Sequence, residues 1–464
     1  MKKIKVIGGG LAGPEAALQA AALGCEVALY EMRPTRSTEA HQTADFAELV
    51  CSNSLKSESE DTAPWLLKQE MRRAGSVLLA EADASAVPAG HALAVDRVEF
   101  SRRVASRIAA QPRIAIHREE VTALDPAEPD TLTILATGPL TSPALAAELQ
   151  RLTSSNHLAF YDSISPIVDA STINMEKVYF AARYGKGTAD YINCPFSKEE
   201  YDSFLDALTA AESVPVKSWE LLPIESSTPN QQPTTSTQQP HYFEGCLPIE
   251  ETARRGRDTL RFGPMKPVGL TDPKTGRWPY AVVQLRQENF RADSYNLVGF
   301  QNHLKYSAQA HVLRLIPGLE NATFLRYGQI HRNTYIDAPS LLTETLQLRA
   351  HPSILIAGQL SGVEGYTESI ASGLLAGRYA AALSRGIQPP PAPRASANGS
   401  LTHYITHAQT GSQNKRFQPA NITFDLLPPL EDDLRRRIRD KKERHRIQCE
   451  RALAAWDAWL NPPQ

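Results

Sequence analysis

Cysteine is scarce in this chain. Five occur in 464 residues, Cys25, Cys51, Cys194, Cys246 and Cys449. The number is odd, the spacings are wide and no C-x-x-C pair occurs, so no zinc or other metal site is expected. Sparse thiols without a pairing framework suit a reducing compartment, and a cytoplasmic protein is expected. Long apolar runs are lacking too. None approaches the ~18 residues of a bilayer span, so no membrane segment is expected. The opening MKKIKVIGGGLAG starts basic, but three glycines and then Glu15 interrupt its apolar part, which makes a poor signal peptide. Net charge is nearly absent: 49 Lys and Arg against 51 Asp and Glu give −2. No global basic field announces a nucleic acid, and any such contact must be local. What remains, 42% hydrophobic and 22% charged residues, suits a large protein of two or three domains.

The most informative stretch is the first. IKVIGGGLAGPEAALQAAALG (4–24) reads as strand, glycine turn and helix, and CEVALYE (25–31) as a second strand. Gly8, Gly10 and Gly13 satisfy G-x-G-x-x-G in the βαβ context that the pattern requires. Gly8 allows the tight turn, Gly10 the close approach of a pyrophosphate, and Gly13 close helix–strand packing. Gly9, Leu11 and Ala12 offer backbone N–H groups at the helix start, where phosphates bind, and Pro14 is tolerated in the first turn. Glu31 closes the second strand 23 residues after Gly8 and is placed to accept bonds from ribose hydroxyls, as in FAD or NAD.

Two later segments extend the same reading. TLTILATG (131–138) is a buried strand ending in Thr137 and Gly138. SILIAGQLSGVEGYTESIASGLLAGRYAAAL (353–383) again runs strand, glycine-rich turn, long helix. Gly358, Gln359 and Gly362 in that turn suit the far end of FAD, at the strand edge where such folds bind ligands. The chain is therefore expected to be α/β: a Rossmann-like FAD-binding domain from residues 1–160 and 328–395, an inserted α+β domain at 161–327, and a C-terminal segment at 396–464 packing on the FAD domain. The polar stretch 225–240 (ESSTPNQQPTTSTQQP) reads as a surface loop, and QPPPAPRASAN (388–398) as a stiff connector.

Several motifs carry a resemblance across nearly the whole chain, one after another in order: IKVIGGGLAG, ELVCSNSLKS, PIVDASTINMEKVYFAARYGKG, YFEGCLPIEETARRG, DTLRFGPMKPVGL, YAVVQLRQEN, GQIHRNTYI, AGQLSGVEGYTESIASGLLAG and NITFDLLPPL. The chain resembles the bacterial folate- and FAD-dependent tRNA (uracil-5-)-methyltransferases, which are related to a flavoprotein family modifying wobble uridine. The resemblance implies methylation of C5 of uridine 54 in the T-loop of tRNA, with methylenetetrahydrofolate as carbon donor and FAD reduced by NAD(P)H. The stretch 225–240 departs from the family in length, and loop length costs little entropy. Two alternatives stand beside this reading: the same chemistry on a ribosomal RNA uridine, and a non-methylating RNA-binding flavoprotein.

The implied chemistry has definite needs. Uracil C5 is a poor nucleophile until a thiolate adds to C6 and leaves an enolate. A reduced flavin can carry the folate methylene to C5 and reduce it to methyl, and an acid or base must manage the C5 proton. The resemblance places functional cysteines at Cys246, expected to be the C6 nucleophile, and at Cys51, expected at the flavin site as proton handler or as partner of the methylene-bearing flavin. Exchange of the two roles stays open. Lys56 and a nearby helix N-terminus are expected to help Cys51 ionise, with Ser52 and Ser54 as capping or hydrogen-bonding groups. Cys25 reads as the start of a buried strand, Cys194 as a turn residue before Pro195, and Cys449 as part of the tail. His303, His331 and His351 show no metal spacing and read as structural. Arg332 and Asn333 lie in a family motif. Tyr366 either stacks on a ring ligand or packs.

The tail LRRRIRDKKERHRIQCER (434–451) holds nine Lys and Arg against three Asp and Glu. It reads as one basic helix, with Arg435, Arg436, Arg437, Arg439, Lys441 and Lys442 as phosphate contacts for tRNA. A solvated charged helix is the bland alternative.

Overall fold

A computed structural model describes residues 2–38, 40–128, 130–154, 158–185, 187–214, 247–407 and 417–462. Cys246 and the loop 225–240 lie outside the described residues, as do Glu244 and Gly245. The chain divides into two compact units, residues 1–158 with 334–464, and residues 159–333.

The first unit is built on a five-stranded parallel sheet. Its strands are β1 (Lys3–Ile7), β2 (Val27–Tyr30), β6 (Ile114–His117), β7 (Thr131–Leu135) and β16 (Ile354–Ile356), in the order β16-β7-β1-β2-β6. Ile4, Val6, Leu29, Ile134, Leu135, Leu355 and Ile356 are fully buried, as expected where helices cover both faces of a parallel sheet. Strand order reverses between β1 and β7, and the carboxyl ends of strands beside such a switch point form a ligand-binding crevice.

Helix α1 (Ala12–Ala22) follows β1 and packs against α11 (Tyr366–Ser384). The crossing is close because Gly373 and Gly377 lie one turn apart on α11. A Cβ on either would collide with the backbone of Ala12 or Ala16. The sequence SGLLAG therefore sets how near the second glycine-rich unit comes to the first.

Around the sheet lie α2 (Ala63–Arg73), α3 (Val77–Ala84), α4 (Arg97–Ala109) and α5 (Pro143–Thr153). Each starts at a side-chain cap, respectively Thr62, Ser76, Asp96 and Ser142, as polar residues satisfy the orphan N–H groups of a first turn. A small sheet of β3 (Ser54–Ser57), β4 (Ala86–Val87) and β5 (Ala92–Val95), in the order β3-β5-β4, carries the cysteine stretch. Helices α10 (Ala338–Leu341), α12 (Ala397–His407), α13 (Asp432–Arg437) and α14 (Lys441–Leu460) complete the unit. The basic tail is thus two helices and not one: Ile438 leaves helical geometry, and Asp440 caps α14 by accepting from Lys442 N–H. Cys449 is buried on α14.

The second unit has a six-stranded antiparallel sheet, ordered β10-β11-β12-β13-β9-β14. The strands are β9 (Ile167–Asp169), β10 (Tyr179–Ala181), β11 (Tyr191–Phe196), β12 (Ala281–Gln287), β13 (Ser294–Leu297) and β14 (Phe324–Arg326). The helices are α6 (Lys198–Ala210), α7 (Ile249–Arg254), α8 (Thr259–Phe262) and α9 (Tyr306–Leu313). The chain enters and leaves through β8 (Leu158–Ser163) and β15 (Ile330–Tyr335), which pair with each other. The core joins Phe196, Phe204 and Phe300 to Leu205, Val283 and Leu285. Cys194 belongs here. It lies fully buried inside β11 opposite Val283, not in a turn, because Phe196 and Ile192 on the same strand draw the segment into the core. Among the described residues no helix is long and apolar enough to cross a membrane.

Candidate active site

The carboxyl edge of the parallel sheet gathers four chain segments. At the first, Gly8 has φ of 116°, and its missing side chain lets the loop press on the carbonyl of Ala136 at the end of β7. Gly13 packs on the Gly8 carbonyl so closely that any Cβ would collide with it. A Cβ on Gly10 would instead meet nothing within 4 Å, so that residue faces open space. Leu11, at the start of α1, makes no side-chain cap bond, which leaves the N–H groups of the first turn to a ligand. Glu15 in that turn does not compete. It is buried and accepts from Leu78 N–H at 2.8 Å and Gln19 Nε2 at 3.0 Å, and burial pushes its pKa up to about 7.

Glu31 stands at the end of β2. Its Oε2 accepts from Gly9 N–H at 2.7 Å, and its Oε1 from Arg33 N–H and Nε, both at 2.9 Å. Burial opposes its ionisation, but the bonds and charge of Arg33 and the Gly9 N–H outweigh that and hold its pKa below the ordinary range. The carboxylate is thus ionised and fixed, with lone pairs left for hydroxyl donors. Ala47 N–H donates to the Gly9 carbonyl at 2.9 Å, and Arg118 lies over the Phe46 ring at 4.0 Å, so the segment after β2 folds back over the glycine loop.

The other two strand ends continue the edge. Gly138, after β7, has φ of 67° and faces open space, and Thr137 Oγ1 meets Thr141 Oγ1 at 2.6 Å. After β16, Gly358 N–H donates to Ser372 Oγ at 2.8 Å, Gln359 Nε2 donates to Glu364 Oε2 at 2.6 Å, and Gly362 abuts Phe417. A dinucleotide fits this arrangement: open glycine positions where a chain of phosphates would run, an uncapped helix start, and a fixed carboxylate at the end of the second strand.

The stretch ELVCSNSLKS (48–57) is clamped onto the same unit. Leu49, Asn53 and Leu55 are buried, and Cys51 between them is only partly so. Asn53 Nδ2 donates to Val95 O at 3.1 Å, and Val95 N–H returns a bond to Asn53 O at 2.9 Å. Tyr366, first residue of α11, closes the clamp. Its phenol oxygen accepts from Cys51 N–H at 2.7 Å and from Ser52 N–H at 3.1 Å. Burial drives its pKa far above the ordinary value, and its electrostatic interaction with Cys51 adds to the rise. The phenol therefore stays neutral and retains its proton.

Lys56 ties the stretch to α11: its Nζ donates to Glu368 Oε1 at 2.6 Å and to Asn421 Oδ1 at 2.7 Å, an ion pair with a buried carboxylate. The cation whose charge reaches Tyr366, and hence this corner, is Arg97, which also donates to Leu49 O at 2.8 Å. Ser52 and Ser54 act locally: Ser54 N–H donates to Ser52 Oγ and Lys56 N–H to Ser54 Oγ. They shape the turn and cap no helix. Buried Lys68 adds a second support, donating to Leu55 O at 3.0 Å and Lys56 O at 3.2 Å while paired with Glu58 at 2.8 Å. Burial holds its pKa below the ordinary range.

The remaining candidates scatter. Glu250, four residues past Cys246, is fully buried and lies 2.8 Å from His303 Nδ1 in the second unit. Asn333 is buried, and the side chain of Arg332 lies outside the described residues. On the tail, Arg436, Arg437, Arg439, Lys441 and Lys442 are exposed, whereas Arg446 is taken up by Glu443 and Glu450. The Arg435 side chain is not among those described. Sequence reasoning missed Arg97, Lys68 and Glu368. Only Glu368 left a signal, as an acid in the first turn of a helix that follows glycines.

Comparison with known proteins adds the family. The model of the family described as glucose inhibited division protein A (GidA) matches residues 3–388. The methylenetetrahydrofolate–tRNA-(uracil-5-)-methyltransferase TrmFO of Koribacter versatilis is 65% identical over 462 residues, covering 100% of this chain and 99% of that one. The protein of the same name from Enterococcus faecalis is 50% identical, covering 97% of each chain. Among solved structures, GidA of Aquifex aeolicus superposes with a TM-score of 0.67 at 16% identity, over 99% of this chain and 74% of that one. That likeness bears on the fold alone.

Proposed function

The chain belongs to the GidA family, among its folate- and FAD-dependent tRNA (uracil-5-)-methyltransferases, and from that premise we propose that it methylates C5 of uridine 54 in the T-loop of tRNA. Methylenetetrahydrofolate is the carbon donor and NAD(P)H the reductant. The observation that carries the reading is the clamp of Tyr366 on the backbone of Cys51 and Ser52, which fixes a partly exposed thiol on the unit that bears the dinucleotide loop.

In this reading Gly8, Gly9, Gly10, Leu11, Ala12 and Gly13 receive the FAD pyrophosphate and Glu31 its ribose. Thr137, Gly138, Gly358, Gln359 and Gly362 border the rest of the cofactor. Bound FAD supplies the two-electron chemistry that turns the folate methylene into a methyl group. The protein's own part is to hold the thiols and move the proton. One cysteine, assigned to Cys246, adds through its sulfur to C6 of uracil, so that electron density returns to C5 as an enolate. Once C5 has gained its carbon, the C5 proton leaves and the C6–S bond breaks, restoring the ring and the thiolate. Cys51, beside the neutral phenol of Tyr366, handles that proton.

Arg435, Arg436, Arg437, Arg439, Lys441 and Lys442 are assigned to the tRNA backbone. Replacing Arg436, Arg437 and Arg439 together by Ala should lower the slope of log affinity against log salt by roughly 2. An unchanged slope removes the tail from the RNA face. The test of the function is direct: purified protein is yellow, and with tRNA transcript, methylenetetrahydrofolate and NADH it forms 5-methyluridine in the T-loop. Methylation that requires S-adenosylmethionine, or that falls on ribosomal RNA instead, contradicts the proposal.

A further inference from the structure

A cluster on the first unit has no part in this chemistry. His403 and His407 lie one turn apart on α12, which puts both rings on one face. The rings stack with centroids 4.3 Å apart and planes 16° from parallel. Glu344 reaches the same face from the turn after α10. Its Oε1 lies 3.2 Å from His403 Nδ1 and 3.8 Å from His407 Nδ1. One ligand atom from each of the three residues falls within 4.8 Å of the others.

Both backbones that carry these side chains are fixed. The turn holding Glu344 is closed by Thr343 N–H donating to Gln347 O and Leu346 N–H to Thr343 O, each at 2.9 Å. The start of α12 is anchored by buried Glu70, which accepts from Ala397 N–H at 2.6 Å and Asn398 N–H at 2.9 Å. The side chains themselves are partly exposed and free to converge. Ligand atoms around a tetrahedral zinc ion, with bonds of 2.0–2.1 Å, sit roughly 3.3 Å apart, so the observed spacing closes by small rotations about the side-chain bonds. Thr406 Oγ1 lies 3.0 Å from His407 Nδ1, where it can orient that ring. Arg394 is near enough to feel the Glu344 charge, but its Nη1 is engaged by Ser400 Oγ at 2.8 Å.

We propose that Glu344, His403 and His407 form a binding site for a divalent transition-metal cation of the zinc class, which braces α12 to the 342–348 turn. Two imidazoles and one carboxylate favour zinc or nickel over magnesium or calcium, which prefer all-oxygen shells. Three protein ligands leave a position for water. None of the three residues belongs to the dinucleotide edge or the cysteine clamp, so the site lies apart from the chemistry proposed above.

The test is calorimetric titration of zinc chloride into the flavin-loaded full chain, comparing wild type with His407→Gln and Glu344→Gln, and a melting curve of each with and without zinc. The cysteines are common to all three proteins, so thiol sites cancel. The proposal expects the wild type to bind one zinc ion more than His407→Gln, a loss of at least tenfold in affinity at that site in Glu344→Gln, and a zinc-dependent rise in melting temperature in the wild type alone. Equal stoichiometry and affinity in wild type and His407→Gln would overturn the site. Unchanged affinity in Glu344→Gln would overturn the three-ligand assignment.

Discussion

Cys51 and Cys194 are the same residue type in two opposite settings. Cys194 sits in the second strand of an antiparallel sheet, fully buried opposite Val283, and burial pushes its thiol far above the ordinary range. Cys51 lies between buried anchors on an irregular segment. Its backbone is held by a phenol from a distant helix, and its side chain is left partly accessible. One segment gains stability by hiding its thiol. The other uses buried neighbours, Leu49, Asn53 and Leu55, to keep its thiol from being hidden. What separates an accessible cysteine from a packing one is the hydrogen bonding of the backbone around it as much as its side chain.

The comparison can be broken at several points. The largest effect is expected from Cys51→Ala, which should lower methylation by roughly 10³-fold or more, as loss of a reacting group does in other enzymes, while flavin content and melting temperature stay unchanged. Next is Gly13→Ala. Its methyl group collides with the Gly8 carbonyl, so purified protein should carry little flavin, read from its visible absorbance against total protein. Tyr366→Phe leaves the N–H groups of Cys51 and Ser52 without their acceptor, a cost of about 1–3 kcal/mol. It should lower kcat by about 10- to 100-fold with flavin still bound. A Tyr366→Phe protein with normal kcat would show that the clamp has no part in presenting the thiol. The smallest effect on activity is expected from Cys194→Ser. A hydroxyl there is buried among apolar side chains and should cost about 1–3 kcal/mol of stability, seen as a lower melting temperature, with turnover per folded enzyme unchanged.

Much of the first unit was legible because its signals are local. G-x-G-x-x-G, the strand CEVALYE and the second glycine turn each lie within a few residues, and the structure places Gly8, Glu31, Gly138 and Gly358 at successive strand ends of one sheet. The parts that were not legible depend on long separations. Tyr366 meets Cys51 across 315 residues and Lys56 meets Glu368 across 312, and no periodicity reports such pairs. Lys56 lies near Cys51 in sequence, and no local signal reports that its ammonium also bonds the buried carboxylate of Glu368. For Cys194 the following proline is a misleading local signal, since proline commonly marks a turn. Pro195 instead continues β11, where the apolar residues around it outweigh local punctuation. The split of the basic tail turns on Asp440, an acid among arginines that caps a new helix. The H-x-x-x-H spacing of His403 and His407 was visible in the sequence, but the carboxylate they face is 59 residues from His403.

The contrast between Cys51 and Cys194 can be measured as the alkylation rate of individual cysteines in the folded, flavin-loaded protein, read by peptide mass mapping. Cys51 should be modified at least a hundred times faster than Cys194, folate added beforehand should slow Cys51 alone, and Tyr366→Phe should change its rate. If Cys51 reacts no faster than Cys194, the clamped stretch is a packing element and the thiol has no place in the reaction.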